Sequence, residues 1–301
     1  MPRSVSMEEP REVPAVVPDE LKGPVLTIPL ERGPRVCPSS SDVQEAWCRL
    51  QPLVDDHPSP RFFNAESVLD AEARGMPVLD GLLGRVLETP PMQQRSDLTL
   101  QICAAVADRM VAAEVQSRCH NLHGALFLML DSAGIPSVIV WGSVHAETND
   151  PRGSFALNSE LPREEENHRP GHSWLITPEF SVIDLALAHQ GEVGGTYASV
   201  KAAIPSIVHI ANRKSDPIPR EWYPDQQGSP ISEAAYTNAT KYFDVLGWSE
   251  FSGAGLTVRY LPGAVQAPIE DLQDIDLRIG QLRPDYAFEQ FVLPLLEGGP
   301  G

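Results

Sequence analysis

Proline and glycine constrain the fold of this chain more than any other feature of its sequence. There are 29 prolines and 22 glycines in 301 residues, about a sixth of the chain. A proline inside a helix removes a backbone donor and clashes with the preceding turn, and an internal glycine costs about 1 kcal/mol relative to alanine. We therefore expect many loops and few long helices.

Size and charge narrow the class of protein further. The length allows one large domain or two small ones, and 42% apolar residues are enough for a sizeable core. The net charge of −18 argues against a nucleic-acid or anionic-membrane partner, because the field of the chain repels phosphates. The apolar runs are too short to span a bilayer, and the N-terminus has no signal-peptide pattern. These features predict a cytoplasmic protein, or one secreted as an effector without a cleavable signal peptide.

The four cysteines do not form a disulfide framework. No two of them form a CxxC motif, since they lie at Cys37, Cys48, Cys103 and Cys119. Disulfide-stabilised domains are also richer in cysteine. We interpret them as reduced thiols, of which at most one or two take part in chemistry.

Composition divides the chain into three segments. Residues 1–40 are rich in proline and charge and have no hydrophobic period, which is typical of a flexible arm. Residues 41–215 have the strongest helix and strand patterns, and we expect them to form the core. Residues 216–301 alternate loops with helical patches and one strand, LTVRYL, and we expect a mainly helical extension.

Capping and periodicity predict the elements of the core. A capping box at Ser41 and Gln44 predicts a helix, and apolar spacing predicts others over 65–75, over 78–88 and from about residue 96. A long polar stretch over 148–170 leads into the next strands, and we expect it to be a mobile loop that borders a cleft.

The most informative segment begins at Cys119. This residue opens an apolar helix, CHNLHGALFLMLDSA, that Gly134 and Pro136 bring to an end. The positive end of a helix dipole stabilises a thiolate, and cysteine nucleophiles need a thiolate with a histidine to accept the proton. Cys119 is therefore a candidate nucleophile, although a buried apolar cysteine is the more ordinary interpretation.

His172 begins the first of two short strands, HSWLIT and FSVIDLAL. A three-residue loop over 177–179 would place His172 directly opposite Asp184, where Cβ atoms are about 4.5–5.5 Å apart. The carboxylate would then fix the tautomer of the imidazole. A two-residue loop would turn the two side chains to opposite faces, so the pair depends on the turn.

These residues resemble a known group of enzymes. The helix that begins at Cys119, the Gly-Ile-Pro turn into a strand, the HSW motif at His172 and the VIDL strand with Asp184 are similar to the transglutaminase-like branch of the papain-like cysteine enzymes. The resemblance covers about a quarter of the chain. It implies an α+β, papain-like fold, in which the Cys119 helix packs on a small antiparallel sheet that carries His172 and Asp184.

The resemblance also implies a role for each residue. It makes Cys119 the nucleophile, His172 the base and acid, and Asp184 the residue that orients His172. Trp174 matches the aromatic residue after the histidine, and Gln190 is similar to a glutamine in some small bacterial members.

The chain departs from the family pattern beside the nucleophile. Arg118 stands where a small residue is common and would further favour a thiolate, and His120 directly after the cysteine is unusual. The resemblance also implies two hydrogen-bond donors to the oxyanion that forms during attack. The backbone N–H of Cys119 would be one, and no residue clearly matches the second. Gln116 and Gln101 are candidates, with Trp174 as a further substrate-binding candidate, although a solvated glutamine on a helix is the more ordinary interpretation.

A zinc site is an alternative reading of the same region. The residues concerned are Cys119, His120, His123, His145, His168 and His172. Their spacing lacks the paired ligands of structural zinc motifs, and no HExxH motif occurs. We therefore expect no metal and no cofactor.

The resemblance implies thiol-dependent acyl chemistry on an amide, with a protein or peptide as substrate. We expect hydrolysis, as by a cysteine peptidase or amidase, because nothing in the sequence marks a second amine site. Two alternatives remain: acyl transfer or glutamine deamidation by a bacterial effector or toxin, and a binding module that has lost activity. The fold does not decide among them.

Overall fold

The structure is a computed structural model that describes the segments carrying the helices and the sheet. The described residues are 40–55, 78–111, 119–148, 155–157, 171–189, 200, 203–223, 232–240, 242–266 and 293–297. The arm predicted over 1–40 lies outside them except for Ser40, and so does the helix predicted over 65–75. The loop predicted over 148–170 also lies largely outside them, and its residues 155–157 form a strand.

The helices of the first half of the chain follow the apolar patterns of the sequence. The described helices are α1 (Ser40–Asp55), α2 (Val78–Glu88), α3 (Gln93–Val111), α4 (Cys119–Ser132), α5 (Glu233–Ala239), α6 (Phe243–Leu246) and α7 (Leu293–Glu297). The helix expected from about residue 96 begins earlier, at Gln93, and the helix expected from Cys119 begins there. Among these helices, none is long and apolar enough to cross a membrane.

Burial explains why α4 is apolar along most of its length. Its residues 125–130 are all buried in the main core. The helix ends where the sequence predicts, because Gly134 adopts a positive φ of 70° that other residues rarely adopt. The N–H groups of Gly134 and Ile135 then donate to the carbonyls of Asp131 and Leu130 at 2.9 Å. This ending directs the chain into the first strand.

Every strand pairing in the described residues is antiparallel, and the strands form one sheet. They are β1 (Val138–Thr148), β2 (Phe155–Leu157), β3 (His172–Ile176), β4 (Val182–Asp184), β5 (Val208–Ile210), β6 (Ser249–Gly253) and β7 (Leu256–Gln266). Their order is β5-β4-β3-β1-β7-β6, and β2 pairs with the later part of β1. Helix α4 packs against β3 and β1. The expected combination of helices with an antiparallel sheet is confirmed at this level.

The segment from residue 216 onward contributes strands as well as short helices to the described structure. It supplies β6 and β7, and β7 pairs with β1 along residues 139–148 in the interior of the sheet. Leu256, Val258 and Tyr260 are buried, whereas the residues between them are partly exposed. This alternation is typical of a strand with one face on the core. Through β7, residues after 215 belong to the same sheet as the strands of residues 138–210.

Candidate active site

The structure brings Cys119, His172 and Asp184 together. Their exposed fractions are 8%, 0% and 1%, so all three are buried. His172 Nε2 lies 2.8 Å from Asp184 Oδ2. Cys119 lies beside the same imidazole, close enough for its thiol to be coupled electrostatically to His172. Because Nε2 is bound to the carboxylate, Nδ1 is the ring nitrogen left for the sulfur.

Each of the three residues stands at one end of its element. Cys119 is the first residue of α4, His172 the first of β3, and Asp184 the last of β4. Antiparallel neighbours place the start of one strand beside the end of the next. Because α4 packs on β3, its first turn reaches the same end of the sheet.

The β3–β4 hairpin has a different register from the predicted one. Leu175 pairs with Ile183, which requires a five-residue connection rather than three. This register places Asp184 opposite Trp174 and leaves His172 diagonal to the carboxylate. A shift by two residues keeps every side chain on its face. The His172–Asp184 hydrogen bond therefore forms along a diagonal, within reach of long side chains.

Local hydrogen bonds lengthen this connection. The N–H of Phe180 donates to Thr177 Oγ1 at 3.2 Å, and the N–H of Thr177 donates to the carbonyl of Phe180 at 2.9 Å. The N–H of Ser181 donates to the carbonyl of Ile210 on β5 at 2.7 Å. Residues 180 and 181 are thereby held by the turn and by β5, and they do not extend the pairing with β3.

The electrostatics of the site favour a thiolate and an imidazolium. Burial by itself raises the pKa of Cys119, but the charge of His172, hydrogen bonds with His172 and Ser173, and the nearby His123 lower it to about 6. Burial lowers the pKa of His172, but the charges of Asp184 and Cys119 raise it to about 10. Burial also raises the pKa of Asp184, but the charge of His172 and the hydrogen bond with it hold that pKa well below its usual range. Opposite charges held this close favour each other's charged form.

The Asp184 carboxylate is bound on both oxygens. Oδ2 accepts from His172 Nε2 and from the Tyr260 hydroxyl, the latter at 2.9 Å. Oδ1 accepts from the backbone N–H groups of Ala186 at 2.8 Å and Leu187 at 3.0 Å. These donors hold the carboxylate ionised and fix its orientation toward the imidazole.

Tyr260 is a site residue that the sequence reasoning missed. It lies on β7, in the segment that was assigned to a separate extension. Its ring packs edge to face on Trp174, with centroids 5.3 Å apart. Trp174 itself is only 2% exposed, so its described contact supports Tyr260 beneath the site. The alternation in LTVRYL predicted the strand, but nothing local indicated its partner.

His123 and Ser173 were also missed as site residues. His123 is buried on α4, with Nδ1 at 3.3 Å from Ser173 Oγ and Nε2 at 3.4 Å from Asp184 Oδ1. The signal that would have found it is its spacing, because residues four apart on a helix share a face, and His123 follows Cys119 by one turn. Ser173 stands between two residues of the HSW motif and gave no signal of its own.

Three further glutamines were predicted as site or family-matching residues, and only Gln101 lies in the described part of the chain. Gln101 is exposed on α3, and Gln116 and Gln190 lie outside the described residues. In the described part of the chain, no group of three or more His, Cys, Asp or Glu residues is arranged to hold a metal ion.

The cluster has the parts that nucleophilic chemistry requires. A thiolate, an imidazolium that can give up a proton, and a carboxylate that orients the ring are in contact and shielded from solvent. A buried setting strengthens each of these interactions relative to water. Comparisons of the chain with protein-family models, with curated proteins and with solved structures found no match.

Proposed function

We propose that this chain performs thiol-dependent acyl chemistry on an amide bond of a protein or peptide, with water as the final acceptor. The observation that carries the proposal is the buried chain of contacts from Cys119 through His172 to Asp184. Structural ion pairs also perturb pKa values, but a low-pKa thiol in contact with an oriented histidine is the arrangement that a cysteine nucleophile needs.

The reaction assigns one step to each residue. The Cys119 sulfur attacks the carbonyl carbon, and the carbonyl π electrons move to oxygen. As the intermediate collapses, the C–N bond breaks and His172 gives its Nδ1 proton to the departing amine, leaving a thioester. His172 then takes a proton from water, the hydroxide adds to the thioester, and the acid and the free thiolate are released. Asp184 stays ionised and holds the ring in position throughout.

The fold proposal follows the same residues. We assign the described core to the papain-like, transglutaminase-type arrangement, in which a helix-borne cysteine packs on an antiparallel sheet with histidine and aspartate. What supports this is the chain order Cys119, His172, Asp184 and the packing of α4 on β3. In this chain β7 also supplies Tyr260, whose hydroxyl donates a hydrogen bond to Asp184.

Mass spectrometry of products tests the function. Wild-type protein and Cys119→Ser are incubated with a defined peptide library in heavy-oxygen water, with and without methylamine. Hydrolysis of the chain, deamidation of glutamine and transfer to methylamine each leave a different mass. We expect cleaved or deamidated peptides that carry heavy oxygen with the wild type and none with Cys119→Ser.

A matched variant controls for general loss of thiols. Cys48 is exposed on α1 and is not part of the cluster, so Cys48→Ser should retain wild-type activity. Identical spectra from wild type and Cys119→Ser would overturn the proposal. A dominant methylamine adduct would replace hydrolysis with transfer as the outcome.

A further inference from the structure

A second buried imidazole stands beside the candidate nucleophile and has no step in the reaction above. His123 lies one helical turn after Cys119 on α4, and none of its surface is exposed. Its ring meets the ring of His172 edge to face, with centroids 6.1 Å apart. Burying a polar ring costs free energy unless its nitrogens are bound. The partners of those nitrogens therefore indicate what His123 does.

Both ring nitrogens of His123 have partners, and together they define the tautomer. The backbone N–H of Leu185 donates to Nε2 at 3.2 Å, so Nε2 is an acceptor and the ring proton lies on Nδ1. Nδ1 is 3.3 Å from Ser173 Oγ. In this tautomer His123 donates to the hydroxyl oxygen, and the hydroxyl hydrogen of Ser173 is directed to another acceptor.

The remaining acceptor is the sulfur of Cys119, because Ser173 directly follows His172 on β3 and a hydrogen bond with Ser173 is among the causes that lower the pKa of Cys119. We propose that His123 and Ser173 form a second hydrogen-bonded arm on the nucleophile, in which His123 aims the Ser173 hydroxyl at Cys119 Sγ. The arm stabilises the thiolate before attack. His123 is a positioning residue that acts through Ser173, and the functional meaning of the arm rests on the proposed acyl chemistry.

The two arms give the sulfur donors of different kinds. His172 supplies an ionic N–H whose proton leaves with the amine. Ser173 supplies a neutral hydroxyl that keeps its proton, because an aliphatic hydroxyl does not ionise in this pH range. The hydroxyl therefore remains as a donor after His172 has given its proton away, and it is in place when the thiolate is regenerated.

An ionic role of His123 toward Asp184 is the alternative that the geometry disfavours. Nε2 is 3.4 Å from Asp184 Oδ1, but Oδ1 already accepts from Ala186 and Leu187 at 2.8 Å and 3.0 Å. A proton on Nε2 would also face the amide hydrogen of Leu185. The described ionisable groups that face Cys119 are thus His172, with Asp184 behind it, and His123, which reaches the sulfur through Ser173.

The pH profile of Cys119 alkylation tests the arm without any substrate. Iodoacetamide labelling of Cys119 is followed by mass spectrometry in the wild type, Ser173→Ala, Ser173→Thr, His123→Gln and His123→Asn. An asparagine amide can occupy the Nδ1 position and still donate to Ser173, whereas a glutamine amide lies nearer the Nε2 position. We expect Ser173→Ala to move the labelling midpoint up by about one pH unit, a ~10-fold loss of thiolate at lower pH. His123→Gln should move it in the same direction, and Ser173→Thr and His123→Asn should stay near the wild type.

Each outcome bears on the arm separately from the proposed reaction. A midpoint unchanged in both Ser173→Ala and His123→Gln, in variants that melt cooperatively, would overturn the arm. If His123→Gln does not fold, the pair Ser173→Ala and Ser173→Thr decides by the same measurement. If the labelling midpoints shift but the protein does not turn over amides, the arm is supported and the proposed reaction is refuted. If the protein turns over amides but the midpoints do not shift, the reaction is supported and the arm is refuted.

Discussion

The Tyr260 hydroxyl and Asp184 share a hydrogen bond of 2.9 Å, and it ends on the same carboxylate oxygen that accepts from His172 Nε2 at 2.8 Å. Tyr260 belongs to β7 and Asp184 to β4, which are not neighbours in the sheet. In the strand order β3 and β1 stand between them, so the tyrosine contacts a strand three positions away in the sheet. A residue from the last part of the sheet thereby helps to orient the histidine.

Tyr260→Phe should lower turnover per folded molecule. The substitution keeps the ring against Trp174 and removes only the hydroxyl, so the carboxylate loses one of its donors. We expect turnover to fall ~10-fold and the free energy of unfolding to fall by about 1.5–3 kcal/mol, the range for a hydrogen bond to a charged group. Active-site titration gives the turnover per folded molecule, and urea unfolding gives the free energy of unfolding.

The control for this variant is Tyr236→Phe. The Tyr236 hydroxyl donates to the carbonyl of Ile218, in a second cluster of apolar residues that contains none of Cys119, His172 and Asp184. This variant should lose some stability and keep wild-type turnover per folded molecule. Equal turnover in the two variants would show that Tyr260 has no part in orienting Asp184.

Cys119 should be the thiol whose alkylation depends least on high pH. Its pKa is lowered from 9.0 to about 6, which predicts a labelling midpoint near pH 6. Burial raises the pKa of Cys103 to about 12, so Cys103 should stay unlabelled in the folded protein. Mass spectrometry after brief iodoacetamide treatment resolves each site. Faster labelling of Cys103, or of Cys48 below pH 7, would contradict the assignment of the nucleophile.

The Cys119–His172 pair should make stability almost independent of pH near neutrality. His172, with its pKa raised from 6.5 to about 10, adds stability that is complete below pH 6.5 and is lost as pH rises through 10. Cys119, with its pKa lowered from 9.0 to about 6, adds stability that is complete above pH 9.0 and is lost as pH falls through 6. Between pH 6.5 and 9.0 the pair holds one proton in the folded state and one in the unfolded state. The pH dependences of stability from His172 and from Cys119 therefore cancel.

Urea unfolding of wild type and Cys119→Ser between pH 7 and pH 8.5 checks this compensation. The serine variant keeps the His172–Asp184 pair and loses the thiolate, so its stability should fall with rising pH by up to about 1.4 kcal/mol per pH unit. The wild type should change little over the same range. Parallel curves for the two proteins would mean that the pair is not charged in the folded state.

Asp184→Asn should keep the fold and lose most turnover. The amide oxygen can still accept from the N–H groups of Ala186 and Leu187, but it no longer holds an imidazolium or fixes its tautomer. We expect a loss of roughly 100- to 10,000-fold, as for a triad with the wrong tautomer. Asp184→Ala should lose about as much activity. Near-normal turnover per folded molecule in Asp184→Asn, with a lower melting temperature, would make Asp184 a purely structural residue.

Glu179 should affect stability without affecting turnover. It lies in the β3–β4 connection, and its Oε1 accepts from Arg95 Nε at 2.5 Å and from the N–H of Met92 at 3.2 Å at the start of α3. The side chain is only 4% exposed, so Glu179→Gln leaves Arg95 without its charge partner. We expect the free energy of unfolding to fall by about 2 kcal/mol.

The matched control for Glu179 is Glu233→Gln. Its ion pair with Arg220 is exposed, and such pairs contribute about 0–1 kcal/mol. Urea midpoints of the two variants should therefore differ clearly. A similar small loss in both would mean that the Glu179 contacts do not hold the hairpin to α3.

Local rules were enough to predict the elements that carry the candidate nucleophile and base. The apolar run after Cys119 and the Gly134 ending predict α4, and α4 begins and ends there. The strands at His172 and Asp184 were also visible, since alternation and turn residues act over a few neighbours. The even spacing that keeps both side chains on one face was predicted, although the register itself was not.

Only the tertiary structure decided which distant residues complete the cluster. Tyr260 reaches Asp184 because β7 pairs with β1, and a strand's pattern states its buried face but not its partner. The hairpin register depended on Ser181 bonding to β5, a contact far away in sequence. The amino-acid sequence by itself thus determined the helix with its thiol and the strands with their polar ends. Long-range strand pairing, which depends on the packing of the whole sheet, determined how the carboxylate is held.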